Sequence, residues 1–388
     1  MQWKEFLMKR RYDSKDKLIE PNLFRFATSE LSQDAFICWL FEHINLKEPS
    51  LEKEIAEELL HTIFKKFQFY SPEYISENLM QSKLQAIETQ WSDIDVLLEF
   101  ECENIPEQKL MVLIEDKTDS GESRKNQVEY YYHKVGEHYE DALIVPVILK
   151  TGYVPQEERK KLDERSIVLI NTEDMYNIFQ SKHIHLKENP VIYYWWQNFL
   201  ERYYKPIQRA EDFPLDSSTT LEGIQTFIND NEEDYSEQRI FERLIQYLFA
   251  KLNKQFSTKL FTIQGKGHID LHYEVTTDEW KDEEKNIQVT IVFVWDKNSF
   301  KLAARIVPYQ YKPYKKLKDK DREDYEKVKK TLKNTIRKKE FENWSITNYK
   351  WQFAKMKDIE YCRFNTLGDS VVTEIERLAE LVDEEILS

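Results

Sequence analysis

The chain has 388 residues, 33% charged and 41% hydrophobic, with 71 acidic against 56 basic side chains and a net charge of −15. That length points to two domains and the composition excludes wholesale disorder, while the acidic balance excludes a general coat for polyanions but not an enzyme with a local basic groove. Three scattered cysteines, Cys38, Cys102 and Cys362, show neither a disulfide framework nor zinc spacing, no apolar run has bilayer length, and the opening MQWKEFLMKRRYDSKDK lacks a signal core, so a cytoplasmic protein is expected.

The first element is a helix within Asn22 to His43, with apolar residues at helical spacing in SELSQDAFICWLFEHI and Ser32 as its N-cap. A second amphipathic helix follows over Leu51 to Phe67. Three strands come next: KLQAIETQ (Lys83 to Gln90), DIDVLLEF (Asp93 to Phe100) and Lys109 to Lys117, the last two joined by the polar linker ECENIPEQ as a hairpin. Then come a helix over Ser123 to Tyr139, a strand ALIVPVILK (Ala142 to Lys150) ended by Gly152 and Pro155, and a strand SIVLI (Ser166 to Ile170). A helix opened by Asn171 or Thr172 and an aromatic closing helix, Val191 to Tyr204, complete this part. This order describes an α/β domain with a mixed sheet.

The segment KPIQRAEDFPLDSSTT has two prolines and no period, so a boundary is placed there, dividing a domain over 1–207 from one over 216–388. The second part is α+β. Its expected elements are a helix over Tyr235 to Gln255, strands over Lys259 to Gln264, His268 to Val275, Asn286 to Trp295 and Phe300 to Val307, a charged helix from Asp319 to Lys339, and a terminal helix from Ser370 to Leu387.

The stretch LMVLIEDKT raises the chemical question. Leu110 to Ile114 are five apolar residues in a row, and then Glu115, Asp116 and Lys117 arrive together. Residues two apart on a strand share a face, so Glu115 and Lys117 lie together, as do Asp93 and Asp95 on the preceding strand. A hairpin through ECENIPEQ brings Asp95 near Glu115. Two carboxylates held together repel, and a hard divalent cation relieves the repulsion. A lysine beside them can position a water and offset phosphate charge.

This arrangement resembles the PD-(D/E)XK nuclease superfamily. Asp95 in SDID and Glu115-Asp116-Lys117 as E-x-K match its central motif, with isoleucine where the motif name has proline. Gln127 and Tyr131 in NQVEYYYHKV match the Q-x-x-x-Y helix of the RecB-like branch, and Glu30 sits where a first-helix acid often completes the site. The resemblance covers roughly residues 20–200. It implies a restriction-endonuclease-like mixed sheet flanked by helices, followed here by the α+β C-terminal domain, and metal-dependent phosphodiester hydrolysis. Asp95 and Glu115 would hold Mg²⁺ or Mn²⁺ with the Asp116 carbonyl, and Glu30 would reach a second metal or its water. Lys117 would orient the attacking water, and Gln127 and Tyr131 would contact the DNA backbone or orient Lys117. The Asp116 side chain would face the other way and matter less. DNA is the favoured substrate, anti-phage defence or DNA processing the expected setting, and the C-terminal domain the place for a protein partner or a second copy of the chain.

Blander readings stand beside these. Asp95 is an exposed strand acid, Glu115 and Lys117 a surface ion pair, and Gln127 and Tyr131 a capping amide and a core tyrosine. Asp34 can replace Glu30, Glu88 can flank the site, and Asp93 either supports it or is simply solvated. The eight histidines form no ligand set, Trp195 and Trp196 read as core, and the lysine-rich run from Tyr311 to Lys339 reads either as a nucleic-acid grip or as a solvated helix face. The absence of G-x-x-x-x-G-K-[ST], G-x-G-x-x-G and G-x-S-x-G leaves two functions: a nuclease, or a catalytically silent nuclease-like fold that binds nucleic acid or protein.

Overall fold

The computed structural model describes residues 30–105, 107, 109–118, 126–216, 219–230, 236–250, 257–264, 269–282, 287–296, 299–307, 319–338, 344–346, 352–356 and 369–386. Contacts divide the chain into two units, one of 1–154 and 158–205 and one of 155–157 and 206–388. Among the described residues no helix is long and apolar enough to cross a membrane.

Among the described residues the first unit opens with α1 (Glu30–Glu42), α2 (Leu51–Tyr70) and the short α3 (Ser76–Leu79). Helix α1 begins at Glu30, so Ser32 lies inside its first turn instead of capping it. Helix α2 starts where Ser50 accepts the Lys53 N–H, and it buries Ile55, Ala56, Leu59, Leu60, Ile63, Phe64 and Phe67 along one stripe. Each fully buried aliphatic or aromatic side chain in such a stripe contributes about 1.5–3 kcal/mol.

Five strands follow: β1 (Lys83–Trp91), β2 (Ile94–Glu101), β3 (Lys109–Lys117), then α4 (Gln127–His138), β4 (Leu143–Lys150), α5 (Gln156–Glu164) and β5 (Val168–Ile170). They lie in the order β1-β2-β3-β4-β5. The first two pairings are antiparallel and the last two parallel. Strand β3 is central and buried from Leu110 to Lys117, which is why its sequence is a continuous apolar run instead of an alternation. Its odd-numbered residues, Met111 and Leu113, pack with Val128, Tyr131 and Val135 of α4 and with Val154 and Leu162. On the other face Phe64 of α2 meets Phe100 of β2 edge-on.

Asn171 caps α6 (Thr172–Gln180) through a full capping box, and Asn189 caps α7 (Pro190–Phe199) with proline at its start. The expected closing helix is thus α7 followed by a π-helical turn, Leu200–Tyr204. Trp195 and Trp196 are buried and stack on Phe179 and Phe199, so they belong to the core.

The second unit holds α8 (Lys205–Asp212), α9 (Leu221–Asp230), α10 (Ser236–Ala250), strands β6 (Ser257–Gln264), β7 (Ile269–Thr276), β8 (Lys281–Asp282), β9 (Ile287–Asp296) and β10 (Ser299–Val307), then α11 (Asp319–Lys338), β11 (Trp344–Ile346), β12 (Gln352–Met356) and α12 (Asp369–Ile386). The strands form one sheet in the order β11-β12-β10-β9-β7-β6, with β8 on β9. Helices α10, α11 and α12 bury Phe241, Leu244, Tyr325, Leu332, Ile375 and Leu378 with Val289, Ile291 and Phe293 of β9. Helix α8 occupies the start of the segment read from sequence as an aperiodic linker. It continues directly from the π-helical turn Leu200–Tyr204, and its Ala210 packs in the core. The lysine-rich run is a helix from Asp319 onward, with Tyr325, Leu332 and Ile336 buried; its beginning, 311–318, lies outside the described residues.

Candidate active site

The site is built from the adjoining ends of β2 and β3. Strand β1 turns into β2 through Ser92 and Asp93 alone, between the paired Trp91 and Ile94. Both turn residues have positive φ, 53° and 72°, the signature of a type I′ hairpin, and Gln90 just before them is left-handed too, at 55°. Non-glycine residues in that region carry local strain, which packing elsewhere must hold in place. The tight turn brings Asp95 to the start of β2, and the register Val96↔Ile114, carried one step on, sets Asp95 opposite Glu115.

Asp95 is half-buried. Its Oδ2 accepts the Asp116 N–H at 2.9 Å, and its Oδ1 accepts from the Gln90 amide at 3.3 Å. Glu115 is 1% exposed and Lys117 6%. The Lys117 ammonium lies 2.6 Å from Glu115 Oε1 and 3.8 Å from Asp95 Oδ2, and it donates to the Asp116 carbonyl at 3.0 Å. Two carboxylates from neighbouring strands therefore converge on one cation, at the carboxyl end of a parallel-paired strand, where α/β sheets place their ligands.

Helix α4 supplies the next layer. Its Gln127 amide donates to Glu115 Oε1 at 2.7 Å and to the Tyr131 hydroxyl at 2.9 Å. Gln127 and Tyr131 are both buried. Asn126, in the left-handed region at φ 59°, aims the helix start at the strand end.

Asp116 faces the opposite side of the sheet. Its Oδ1 accepts from the Gln33 amide of α1 at 2.5 Å, and the Gln33 carbonyl oxygen accepts from Thr151 at 3.2 Å. Burial first, and then the nearby charge of Asp34, hold the Asp116 carboxyl well above the usual carboxylate range. Beside Lys117 in the parallel register stands Lys150, buried and held by both carboxylate oxygens of Glu158 at 2.8 and 3.0 Å.

Residues 21–211 match the family model of the PD-(D/E)XK nuclease superfamily. This part of the chain is a PD-(D/E)XK nuclease superfamily domain. Its five-stranded mixed sheet with helices on both faces has the restriction-endonuclease-like arrangement. No curated protein and no solved structure is significantly similar to the chain.

Of the residues singled out in this nuclease-superfamily domain, Asp95, Glu115, Lys117, Gln127 and Tyr131 form one connected cluster. Glu30 is the first residue of α1, and its side chain lies outside the described residues. Asp34 is buried beside Asp116, Asp93 is exposed on the turn, and Glu88 meets the Tyr139 hydroxyl at 3.4 Å. The motif reading missed Gln90, Gln33, Thr151 and Lys150. A signal for Gln33 was present, because Gln33 and Asp34 are polar residues on an otherwise apolar helix stretch.

The donor set fits a hard divalent cation. Asp95 and Glu115 are oxygen donors on adjacent strands, and Mg²⁺ typically takes one or two carboxylates with water and substrate phosphate. Among the described residues no group of three histidine, cysteine or acidic side chains comes together for an ion. The Asp116 carbonyl, the third oxygen expected, accepts from Lys117.

Proposed function

We propose that the chain is a divalent-metal-dependent nuclease that hydrolyses phosphodiester bonds in nucleic acid, with DNA the favoured substrate and anti-phage defence or DNA processing its setting. The observation that carries the reading is the convergence of Asp95 and Glu115 on the Lys117 ammonium at the strand ends, within a domain of this superfamily. Asp95 and Glu115 would hold Mg²⁺ or Mn²⁺. The ion, when bound, supplies positive charge that neutralises phosphate oxygens and makes water more acidic. Lys117 hydrogen-bonds the attacking water and offsets charge that develops on the phosphate. Gln127 fixes the Glu115 carboxylate, and Tyr131 fixes Gln127. Glu30 would add a further oxygen from α1.

The second reading is a nuclease-like fold that binds nucleic acid or protein without cutting. It is favoured by the bond between Lys117 and the Asp116 carbonyl, which uses the third oxygen internally. Incubation of plasmid, linear duplex, single-stranded DNA and RNA with Mg²⁺ or Mn²⁺ separates the two. Metal-dependent cutting by the wild type and none by Lys117→Ala is the expected result. No cutting of any substrate by the wild type would leave the binding-module reading.

A further inference from the structure

Helix α4 presents an exposed row next to the candidate site that none of the motif residues uses. Tyr130, Lys134 and His138 follow one another at four-residue spacing and so share one helix face. Tyr130 is 49% exposed. The Lys134 ammonium lies 4.7 Å over the Tyr130 ring. A hydrogen bond to Tyr130, with added attraction from Asp93, holds Lys134 above the usual lysine range. His138 is exposed, and its ring sits 5.3 Å from Trp91 and 4.7 Å from Tyr139. The row begins one turn from Gln127, which bonds Glu115. It ends at Trp91, which packs against the core beside the strained turn.

We infer that this row is a stacking track for single-stranded nucleic acid leading to the strand-end site. A tyrosine ring and an imidazole offer flat faces to bases, and Lys134 between them offers one cation to the backbone. A duplex hides its base faces, so unpaired bases are the partners these rings accept. The eight-residue span of the row is about 12 Å, room for two or three nucleotides. The charge balance agrees with stacking as the main attraction. Glu129 is engaged by Arg165, while Asp93 and Glu137 lie near the row, so Lys134 is one cation against two acids and charge alone does not attract a polyanion. The inference rests on the nuclease reading for its purpose, but the binding itself needs no cleavage.

The test is fluorescence anisotropy of the full chain with a labelled single-stranded oligonucleotide and with its duplex, in EDTA. Single strands should bind more tightly than duplex. Tyr130→Ala should weaken single-strand binding by about fivefold or more while Tyr130→Phe does not, as expected for loss of one stacked base. The salt slope should be shallow, about −0.7, as for one neutralised phosphate. Tyr130 is half exposed, so the variant should keep its melting temperature, which is measured alongside. Duplex preference, no binding, or Tyr130→Ala binding like wild type would overturn the track. Cutting by a wild type that fails these tests leaves the nuclease reading standing. Binding that passes them without any cutting removes catalysis and keeps the track.

Discussion

The Lys117 ammonium sits 2.6 Å from Glu115 Oε1 in a pair whose side chains are only 8% and 1% exposed. Such a buried pair gains little net stability as a whole, but removal of one partner leaves a buried charge and costs about 3–5 kcal/mol. Lys117→Met should therefore melt earlier than wild type in EDTA. A divalent ion competes with that ammonium for Asp95 and Glu115, so Mn²⁺ should raise the melting temperature of Lys117→Met by more than that of wild type. Thermal scans with and without Mn²⁺ decide it: equal shifts in the two proteins would mean the carboxylates do not form an ion site.

Gln127 bonds the same Glu115 oxygen at 2.7 Å. Removal of a group that orients a metal ligand typically costs 10–100-fold in affinity or activity. Gln127→Ala should lose about that much in Mn²⁺ affinity by calorimetry, and Tyr131→Phe less, because the Tyr131 hydroxyl bonds Gln127, which in turn bonds Glu115.

Asp116 accepts from Gln33 on the far side of the sheet, and burial and then Asp34 hold its carboxyl well above the usual carboxylate range. Asparagine keeps an oxygen acceptor at that place without the charge. Asp116→Asn should change stability by less than about 1 kcal/mol, whereas Asp116→Ala leaves the Gln33 amide without this acceptor and should cost about 1–3 kcal/mol. Urea unfolding at neutral pH measures both, and cleavage by Asp116→Asn should remain.

The β1–β2 turn holds Ser92 at φ 53° and Asp93 at φ 72°. Glycine takes such a conformation without a Cβ clash, and a β-branched residue does so poorly. Ser92→Gly should melt no lower than wild type, and Ser92→Val should lose at least about 1 kcal/mol. Equal melting of the two variants would show that the turn is not held in this form.

Cys38 is half-buried on α1, and burial together with Asp34 and Glu42 pushes its thiol up to about 12 from 9.0. Thiolate is the reactive form, so at pH 8 the population available for alkylation is about a thousandfold below that of an unperturbed thiol. In a Cys102→Ser, Cys362→Ser background, native alkylation should be slow and still rising with pH above 10, and fast after unfolding. Rapid native labelling at pH 8 would contradict the raised thiol.

Strand and helix identities in the first domain were legible because each has its own period or run. The apolar stretch Leu110 to Ile114 read as a buried strand because a run of that length suits a strand covered on both faces better than a helix. Asp95, Glu115, Lys117, Gln127 and Tyr131 were legible as candidates because strand alternation and helix spacing fix which residues share a face. The turn before Asp95 was not read as one. It lacks the Asn-Gly or Asp-Gly pair that usually marks such a hairpin, and this chain has only seven glycines. Helix α8 was hidden by prolines that read as breakers, although Pro206 follows directly on a π-helical turn within continuous helix.

The sequence by itself determined which side chains lie on which face of each strand and helix, since backbone geometry gives each a fixed period. Only the tertiary structure decided which faces meet: that Asp95 stands opposite Glu115, that Gln127 reaches Glu115, that Gln33 closes on Asp116, and that Lys150 comes beside Lys117. Those pairings depend on strand register and on helix placement across more than ten residues of intervening chain. Both are set by the packing of the whole core, to which no local pattern has access.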